Sequence, residues 1–128
     1  MTETLTMTQE QNEKVQTIVR ETIAERFSSD EFVFDPIVVV PMVDEFGSDA
    51  SGETYLRIII VFDGDQKHLD SSWTSSFIRR IRPKLIEEGI EEFPSPSWVE
   101  KSEWWSLYPK WRQQHPEVTI ETTRYIGV

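Results

Sequence analysis

The sequence predicts a small α+β fold, in which a two- to three-stranded, mainly antiparallel sheet packs against helices in the order α-β-β-α-(α)-β. Three observations predict it: a helical apolar repeat near the N-terminus, two β-branched runs in the middle, and a second helical repeat after them. A chain of 128 residues provides one hydrophobic core and is cramped for two. We therefore expect a single domain over residues 1–128, with the polar residues 1–7 disordered.

The first element is an amphipathic helix. Thr8 followed by Gln11 has the spacing of a capping box, in which each side chain satisfies a backbone N–H of the other. Beyond it, apolar residues recur at steps of three and four, which predicts one buried stripe on a helix of about five turns. The apolar positions are Val15, Ile18, Val19, Ile23 and Phe27.

Residues 32–43 and 54–62 predict two strands, because each contains consecutive β-branched or aliphatic side chains. Such runs are typical of strands that are covered on both faces. Pro36 and Pro41 lack the N–H that a ladder needs, so the first strand is predicted at a sheet edge or with bulges. The second strand is predicted to be central, and residues 44–52 form a polar hairpin loop between the two.

A second helix is predicted after residue 70, with Asp70 or Ser71 as its cap. Pro83 cannot donate a helical hydrogen bond, so the helix should kink there or restart with Pro83 in its first turn. Gly89 is the predicted end. The apolar stripe of this helix recurs every four residues at Trp73, Phe77, Ile81 and Leu85.

The C-terminal third predicts less regular structure. Residues 93–97 alternate proline and serine after Phe93, which indicates a stiff connector. Ser97 and Glu100 have capping-box spacing and predict a short third helix. Residues 118–126 alternate weakly and predict a last strand that closes the sheet.

Composition excludes several classes of function. The net charge is −10, with 15 acidic and 5 basic residues in positions 1–70 and 8 of each in positions 71–128. An acidic surface repels phosphates and argues against nucleic acid as a partner. The absence of cysteine excludes disulfides, thiolate metal sites and cysteine nucleophiles. The sequence contains no apolar run near the ~20 residues of a membrane span and no secretory pattern in residues 1–11. These observations predict a cytoplasmic protein without a membrane partner.

The first candidate site is an acidic turn. Asp63 and Asp65 flank Gly64 at the end of the predicted central strand, and Asp70 follows closely. Carboxylates at such a strand end can hold magnesium or manganese, which prefer oxygen ligands. The alternative is that Asp-Gly is the ordinary chemistry of a turn after a strand.

The second candidate is a basic cluster on the second helix. Arg79, Arg80 and Arg82 lie away from the centre of its apolar stripe and can pair with phosphate or carboxylate. The alternative is a solvated helix face whose arginines pair with Glu87 and Glu88 at helical spacing.

The third candidate is an aromatic segment. Trp104 and Trp105 are adjacent and must point about 100° apart on a helix, so at least one ring can reach the surface. Exposed tryptophan, here including Trp111, is typical of protein interfaces and of base stacking. The alternative is that these rings form the core of a thin domain.

These observations favour a non-enzymatic protein-interaction module that needs no cofactor, because no complete catalytic motif is present. Its partner would be another protein, as for an adaptor, a chaperone or an antitoxin-like inhibitor, or a second copy in a homodimer. An alternative is a divalent-metal-dependent enzyme or binder acting on phosphate esters or nucleotides through Asp63, Asp65 and the arginines at 79–82. A third hypothesis is nucleic-acid binding through the basic helix, which predicts strong salt dependence.

Overall fold

A computed structural model describes residues 8–43 and 54–114 and confirms the α+β class. The order of elements is α-β-β-α-α-β-α. The predicted disordered segment 1–7 and the predicted strand 118–126 lie outside the described residues. The elements are α1 (Gln9–Ala24), β1 (Val33–Val43), β2 (Thr54–Asp63), a 3-10 turn (Gln66–His68), α2 (Ser71–Ser75), α3 (Phe77–Glu87), β3 (Phe93–Glu100) and α4 (Lys101–Gln114).

The three strands form one mixed sheet in the order β1-β2-β3, so β2 is central as predicted. β1 pairs with β2 antiparallel, and a bulge lies between Phe34 and Ile37. β3 pairs with β2 in parallel. The sheet is therefore mixed and not mainly antiparallel. The β2–β3 pair is parallel because α2 and α3 return the chain to the end of the sheet at which β2 began.

Helices cover both faces of the sheet. α1, α2 and α3 lie on one face, and of the described helices α4 lies on the other, which explains why consecutive residues of β1 and β2 are buried. The coverage of both faces agrees with the expectation from the consecutive β-branched residues of the two strands. The larger core includes Val15, Val19, Leu56, Ile58, Ile60, Phe62, Phe77, Ile81 and Leu85. The smaller core contains Val38, Val40, Ile59, Val61 and Trp104.

Several local predictions about the helices are confirmed. The capping box of Thr8 and Gln11 starts α1, and Asp70 caps α2. Gly89 has a φ of 80° and follows the end of α3, where the Ile90 N–H donates to the Leu85 carbonyl at 2.9 Å. A left-handed residue at this position is the usual way to end a helix.

Pro83 does not start a helix, contrary to one of the two alternatives. It lies inside α3, and the helical segment is instead interrupted at Ser76, between α2 and α3. Trp73 before the interruption and Phe77 after it are both buried. The interruption therefore leaves the apolar stripe in register with the core.

The structure corrects the prediction for residues 93–97, which form part of β3 and not a connector. Pro94 and Pro96 lie opposite Leu56 and Ile58 in an unbroken register. Because alternate residues of a strand direct their N–H groups to the same side, the two missing donors both belong to the outer edge of the sheet. Two prolines are thus compatible with this edge strand, because they are two residues apart and so face the same side.

The start of α4 also differs from the prediction. Ser97 belongs to β3 and does not cap a helix. The Glu100 carboxylate accepts a hydrogen bond from the Ser102 N–H at 3.2 Å instead, so the helix begins at Lys101.

Candidate interaction surface

The acidic turn uses its carboxylates in local structure. Asp63 is exposed and lies 3.7 Å from the Lys101 ammonium group, which joins the turn to α4. The Asp65 side chain accepts a hydrogen bond from the Lys67 N–H at 3.0 Å and so caps the 3-10 turn. Within residues 8–43 and 54–114, no group of three or more acidic or histidine side chains is arranged to hold a metal ion. Binding of magnesium or manganese by Asp63 and Asp65 stays a prediction.

Gly64 is required by the packing of this turn. A Cβ atom at this position would collide with the Phe32 ring and would lie 2.7 Å from the Glu31 carbonyl oxygen. The turn therefore passes against the segment that precedes β1, where only glycine fits. This close approach gives the Asp-Gly-Asp sequence a structural reason.

Asp70 is the third carboxylate of this region, and it links two helices. Its side chain accepts hydrogen bonds from the Ser72 and Trp73 N–H groups at 3.1 and 3.2 Å. It also lies 3.2 Å from the Arg26 guanidinium group beyond the end of α1. The Trp73 hydrogen bond, followed by the Arg26 hydrogen bond and charge, lowers the pKa of Asp70, because each favours the ionised carboxylate.

The aromatic segment is part of the core at its centre. The Trp104 side chain is 2% exposed and packs against the sheet. Its ring lies 5.4 Å from that of Tyr108 and 5.6 Å from that of Trp111. Trp105 is half-buried and lies 6.1 Å from Tyr108. The structural interpretation therefore accounts for Trp104, while binding by Trp105 and Trp111 stays a prediction.

Two basic residues of α3 are engaged within the protein. The Arg80 guanidinium donates to the Ser76 hydroxyl at 2.9 Å and lies over the Trp73 ring at 5.2 Å. The Lys84 ammonium donates to the Thr22 hydroxyl at 2.9 Å and to the Glu25 carboxylate at 3.2 Å. Arg80 thus supports the α2–α3 interruption, and Lys84 ties α3 to α1.

Arg79 and Arg82 differ from these two. Among the described residues, neither forms an ion pair with a carboxylate. The predicted pairing with Glu88 is wrong, because that carboxylate lies 3.2 Å from the ammonium of Lys14 on α1. Arg82 lies over the ring of Phe93 at 4.8 Å, a cation–π arrangement that leaves the charge available to a partner.

These arginines belong to a mixed surface that we call the arginine face. At 100° per residue, the outer residues of α3 point away from the buried stripe that contains Ile81. Ile86 lies on this outer side and is 50% exposed, and Phe93 is 44% exposed beside Arg82. The arginine face consists of Arg79, Arg82, Pro83, Ile86 and Phe93.

Sequence reasoning missed the apolar part of the arginine face. The exposure of Ile86 could have been predicted, because Ile86 falls outside the four-residue steps of the buried stripe. The exposure of Phe93 could not, because it follows from the place of Phe93 at the start of an edge strand. Guanidinium groups beside exposed apolar side chains suit a carboxylate-bearing protein surface, where charge gives orientation and apolar contact gives affinity.

No helix within the described part of the chain combines the length and apolarity that crossing a membrane requires. Comparison with family models, curated proteins and solved structures returned no match for this chain.

Proposed function

We propose that this protein is a non-enzymatic interaction module that docks an acidic segment of a partner protein on its arginine face. The observation that carries the proposal is the pair of arginines at 79 and 82, which lack a carboxylate partner among the described residues although the chain has a net charge of −10. Arginine pairs with carboxylates in a two-pronged geometry that lysine cannot supply. The face is therefore built to receive negative charge.

Several other bases of the chain are paired within the protein. Ion pairs within the protein engage five of them, on α1, after α1, on α3 and at the start of α4. Arg57, Lys67 and Lys110 also form no ion pair among the described residues. What supports the proposal is the combination of two such arginines with the exposed side chains of Ile86 and Phe93. The five engaged bases are Lys14, Arg20, Arg26, Lys84 and Lys101.

A protein segment fits the arginine face better than nucleic acid does. Duplex DNA carries one negative charge per ~1.7 Å, so a bound duplex would extend past α3 and meet the acidic remainder of the molecule. A short acidic segment places its few charges at Arg79 and Arg82 only. Its apolar side chains can also cover Ile86 and Phe93, which contribute nothing to phosphate binding.

The test is binding of a fluorescent peptide that alternates glutamate with leucine, measured by anisotropy at low and high salt. We expect a dissociation constant of about 10 µM, which weakens as salt screens the charges. The double variant Arg79→Glu with Arg82→Glu should lose at least about tenfold in affinity. A peptide of lysine and leucine serves as the ligand control.

The matched control is Lys67→Glu with Lys110→Glu, which changes the net charge equally at two exposed bases outside the arginine face. Equal loss of affinity in this control would show that net charge alone governs binding, and the proposal would be rejected. Absence of peptide binding by the unaltered protein would also reject it. Tighter binding of duplex DNA than of the peptide, through the same arginines, would replace the protein partner with nucleic acid.

A further inference from the structure

The aliphatic run of β2 is interrupted by one exposed side chain, that of Arg57. Leu56 before it and residues 58–62 after it are buried. Arg57 forms no ion pair with a carboxylate among the described residues. It thus shares with Arg79 and Arg82 the property on which the proposed function depends.

Arg57 lies on the face of the sheet that α4 covers in part. Alternate residues of a strand point to the same face, and Ile59 and Val61 belong to the smaller core together with Trp104 of α4. Arg57 precedes Ile59 by two residues and therefore points to this face as well. Because Arg57 is exposed and Ile59 is buried, α4 covers this face at Ile59 and leaves it open at Arg57.

Phe93 connects this open part of the sheet with the arginine face. In the parallel β2–β3 pair, Ser95 is the partner of Arg57, and Phe93 precedes Ser95 by two residues. Paired residues share a face of the sheet, as do residues two apart on one strand, so Phe93 belongs to the face of Arg57. The ring of Phe93 also lies 4.8 Å from the Arg82 guanidinium of α3. Phe93 therefore lies between two arginines that come from different elements.

The distance between Phe93 and Arg57 follows from the geometry of the sheet. Neighbouring strands are about 4.8 Å apart, and two residues advance a strand by about 6.6 Å, so the two Cα atoms are about 8 Å apart. From this position the Arg57 side chain can bring its guanidinium group to a ligand that covers the Phe93 ring.

We infer that Arg57 is the third arginine of the docking surface, and that its ligand is an extended segment of a partner protein in which two carboxylates flank a large apolar side chain. This inference rests on the proposed function and specifies the kind of segment that the site takes. Arg82 and Arg57 bind one carboxylate each, in the two-pronged geometry of a guanidinium group. The apolar side chain covers Phe93, which is 44% exposed.

The positions of the three side chains specify the spacing in the ligand. In an extended segment, side chains two residues apart point to the same side, and four residues span about 13 Å. The pattern Glu-x-Leu-x-Glu therefore turns both carboxylates and the leucine to the protein. On a helix the first and fifth residues lie only about 6 Å apart, which is less than the separation of Phe93 and Arg57 alone.

The first experiment compares two fluorescent peptides of equal composition by anisotropy on the full chain. Ser-Glu-Ser-Leu-Ser-Glu-Ser has its leucine on the side of the two glutamates. Ser-Glu-Leu-Ser-Ser-Glu-Ser moves the leucine by one residue and so to the opposite side. We expect the first peptide to bind at least about threefold more tightly, because only its leucine covers the Phe93 ring. This comparison changes no residue of the protein and does not depend on the folding of a variant.

The second experiment changes Arg57 itself. Arg57→Gln should lower the affinity for the first peptide at least about threefold, and Arg57→Glu at least about tenfold. The matched controls are Lys110→Gln and Lys110→Glu, because Lys110 is exposed on α4 and the net charge changes equally. The controls should stay within about twofold of the unaltered protein, since salt screens distant charges. Circular dichroism verifies that each variant is folded.

The third experiment identifies the carboxylate that Arg57 binds. Two further peptides each replace one glutamate of the first peptide by glutamine. With one of them Arg57→Gln should cause no further loss of affinity, because the carboxylate that Arg57 binds is already absent. With the other peptide the loss should persist.

The inference is overturned if Arg57→Gln and Lys110→Gln bind the first peptide equally, if moving the leucine has no effect, or if the loss in Arg57→Gln persists with both glutamine peptides. A protein that gives any of these results and still binds the glutamate–leucine peptide through Arg79 and Arg82 keeps the proposed function and loses Arg57 as its third arginine. Absence of binding to every peptide would reject both.

Discussion

α3 and α4 both carry residues that the sequence predicts for binding, but these residues are exposed on α3 and buried at the centre of α4. On α4, the ring of Trp104 is turned to the sheet and is 2% exposed. On α3, Arg79 is exposed and has no carboxylate partner among the described residues. One helix uses its unusual residues to complete the fold, whereas the other directs them to solvent.

The comparison shows which kind of residue cluster is the better indicator of a binding surface. Within residues 8–43 and 54–114, one helix covers this face of the sheet, and large rings such as Trp104, Tyr108 and Trp111 supply the buried area that smaller side chains lack. An aromatic cluster in a small domain therefore has a structural use. Two exposed arginines without a carboxylate partner contribute little to stability, and they lie beside the exposed side chains of Ile86 and Phe93.

The largest expected effect is that of removing the central ring of α4. We expect Trp104→Ala to lower the free energy of unfolding by about 3–5 kcal/mol, because it leaves a cavity between helix and sheet. Arg79→Ala should change it by less than about 0.5 kcal/mol. Urea unfolding followed by circular dichroism measures both. Equal losses in the two variants would remove the distinction between the helices.

The next effect tests whether the acidic turn belongs with the structural residues. Gly64→Ala should cost about 1–3 kcal/mol, because the added methyl group meets Phe32 and the Glu31 carbonyl. Asp63→Asn keeps the space and removes a charge whose ion pair is exposed, so it should cost less than about 0.5 kcal/mol. The same unfolding assay measures both. A larger loss in Asp63→Asn would show that the carboxylate has a role that the turn does not explain.

The smallest effect is a pH dependence at the start of α2. Because the pKa of Asp70 is lowered from its ordinary 3.8 in the folded protein, its ionised form stabilises the fold above that value. This contribution is lost as the pH falls through the lowered pKa. Asp70→Asn should therefore be less stable than the unaltered protein at about pH 7 and should approach it at about pH 3.

Urea unfolding midpoints across this range measure the Asp70 effect. Asp30→Asn is the control, because Asp30 is exposed on the segment before β1 and has no described partner. A constant gap between Asp70→Asn and the unaltered protein at all pH values would contradict the proposed electrostatic cause.

Much of the fold could be predicted because it depends on local signals. The periodicity of α1, its cap at Thr8, the aliphatic run of β2 and the end at Gly89 are each encoded within a few residues. The class of the fold follows from their order. The basic cluster was also visible locally, as were the carboxylates of the turn.

The remainder depends on contacts that sequence spacing does not encode. Residues 93–97 form a strand because their prolines are two residues apart and β2 lies beside them. The spacing is visible in the segment, but the neighbouring strand is not. The contact of Arg82 with Phe93 likewise joins two elements. The contacts of each arginine within the protein depend on the positions of α1 and α2, which the spacing of the arginines does not encode.

The prolines of the two outer strands have a consequence for behaviour at high concentration. β1 carries Pro36 and Pro41, and β3 carries Pro94 and Pro96, so a template for amyloid-like stacking would meet interrupted donors on both sides. The aliphatic run of β2 thus lies between two strands whose prolines disfavour the addition of a further strand.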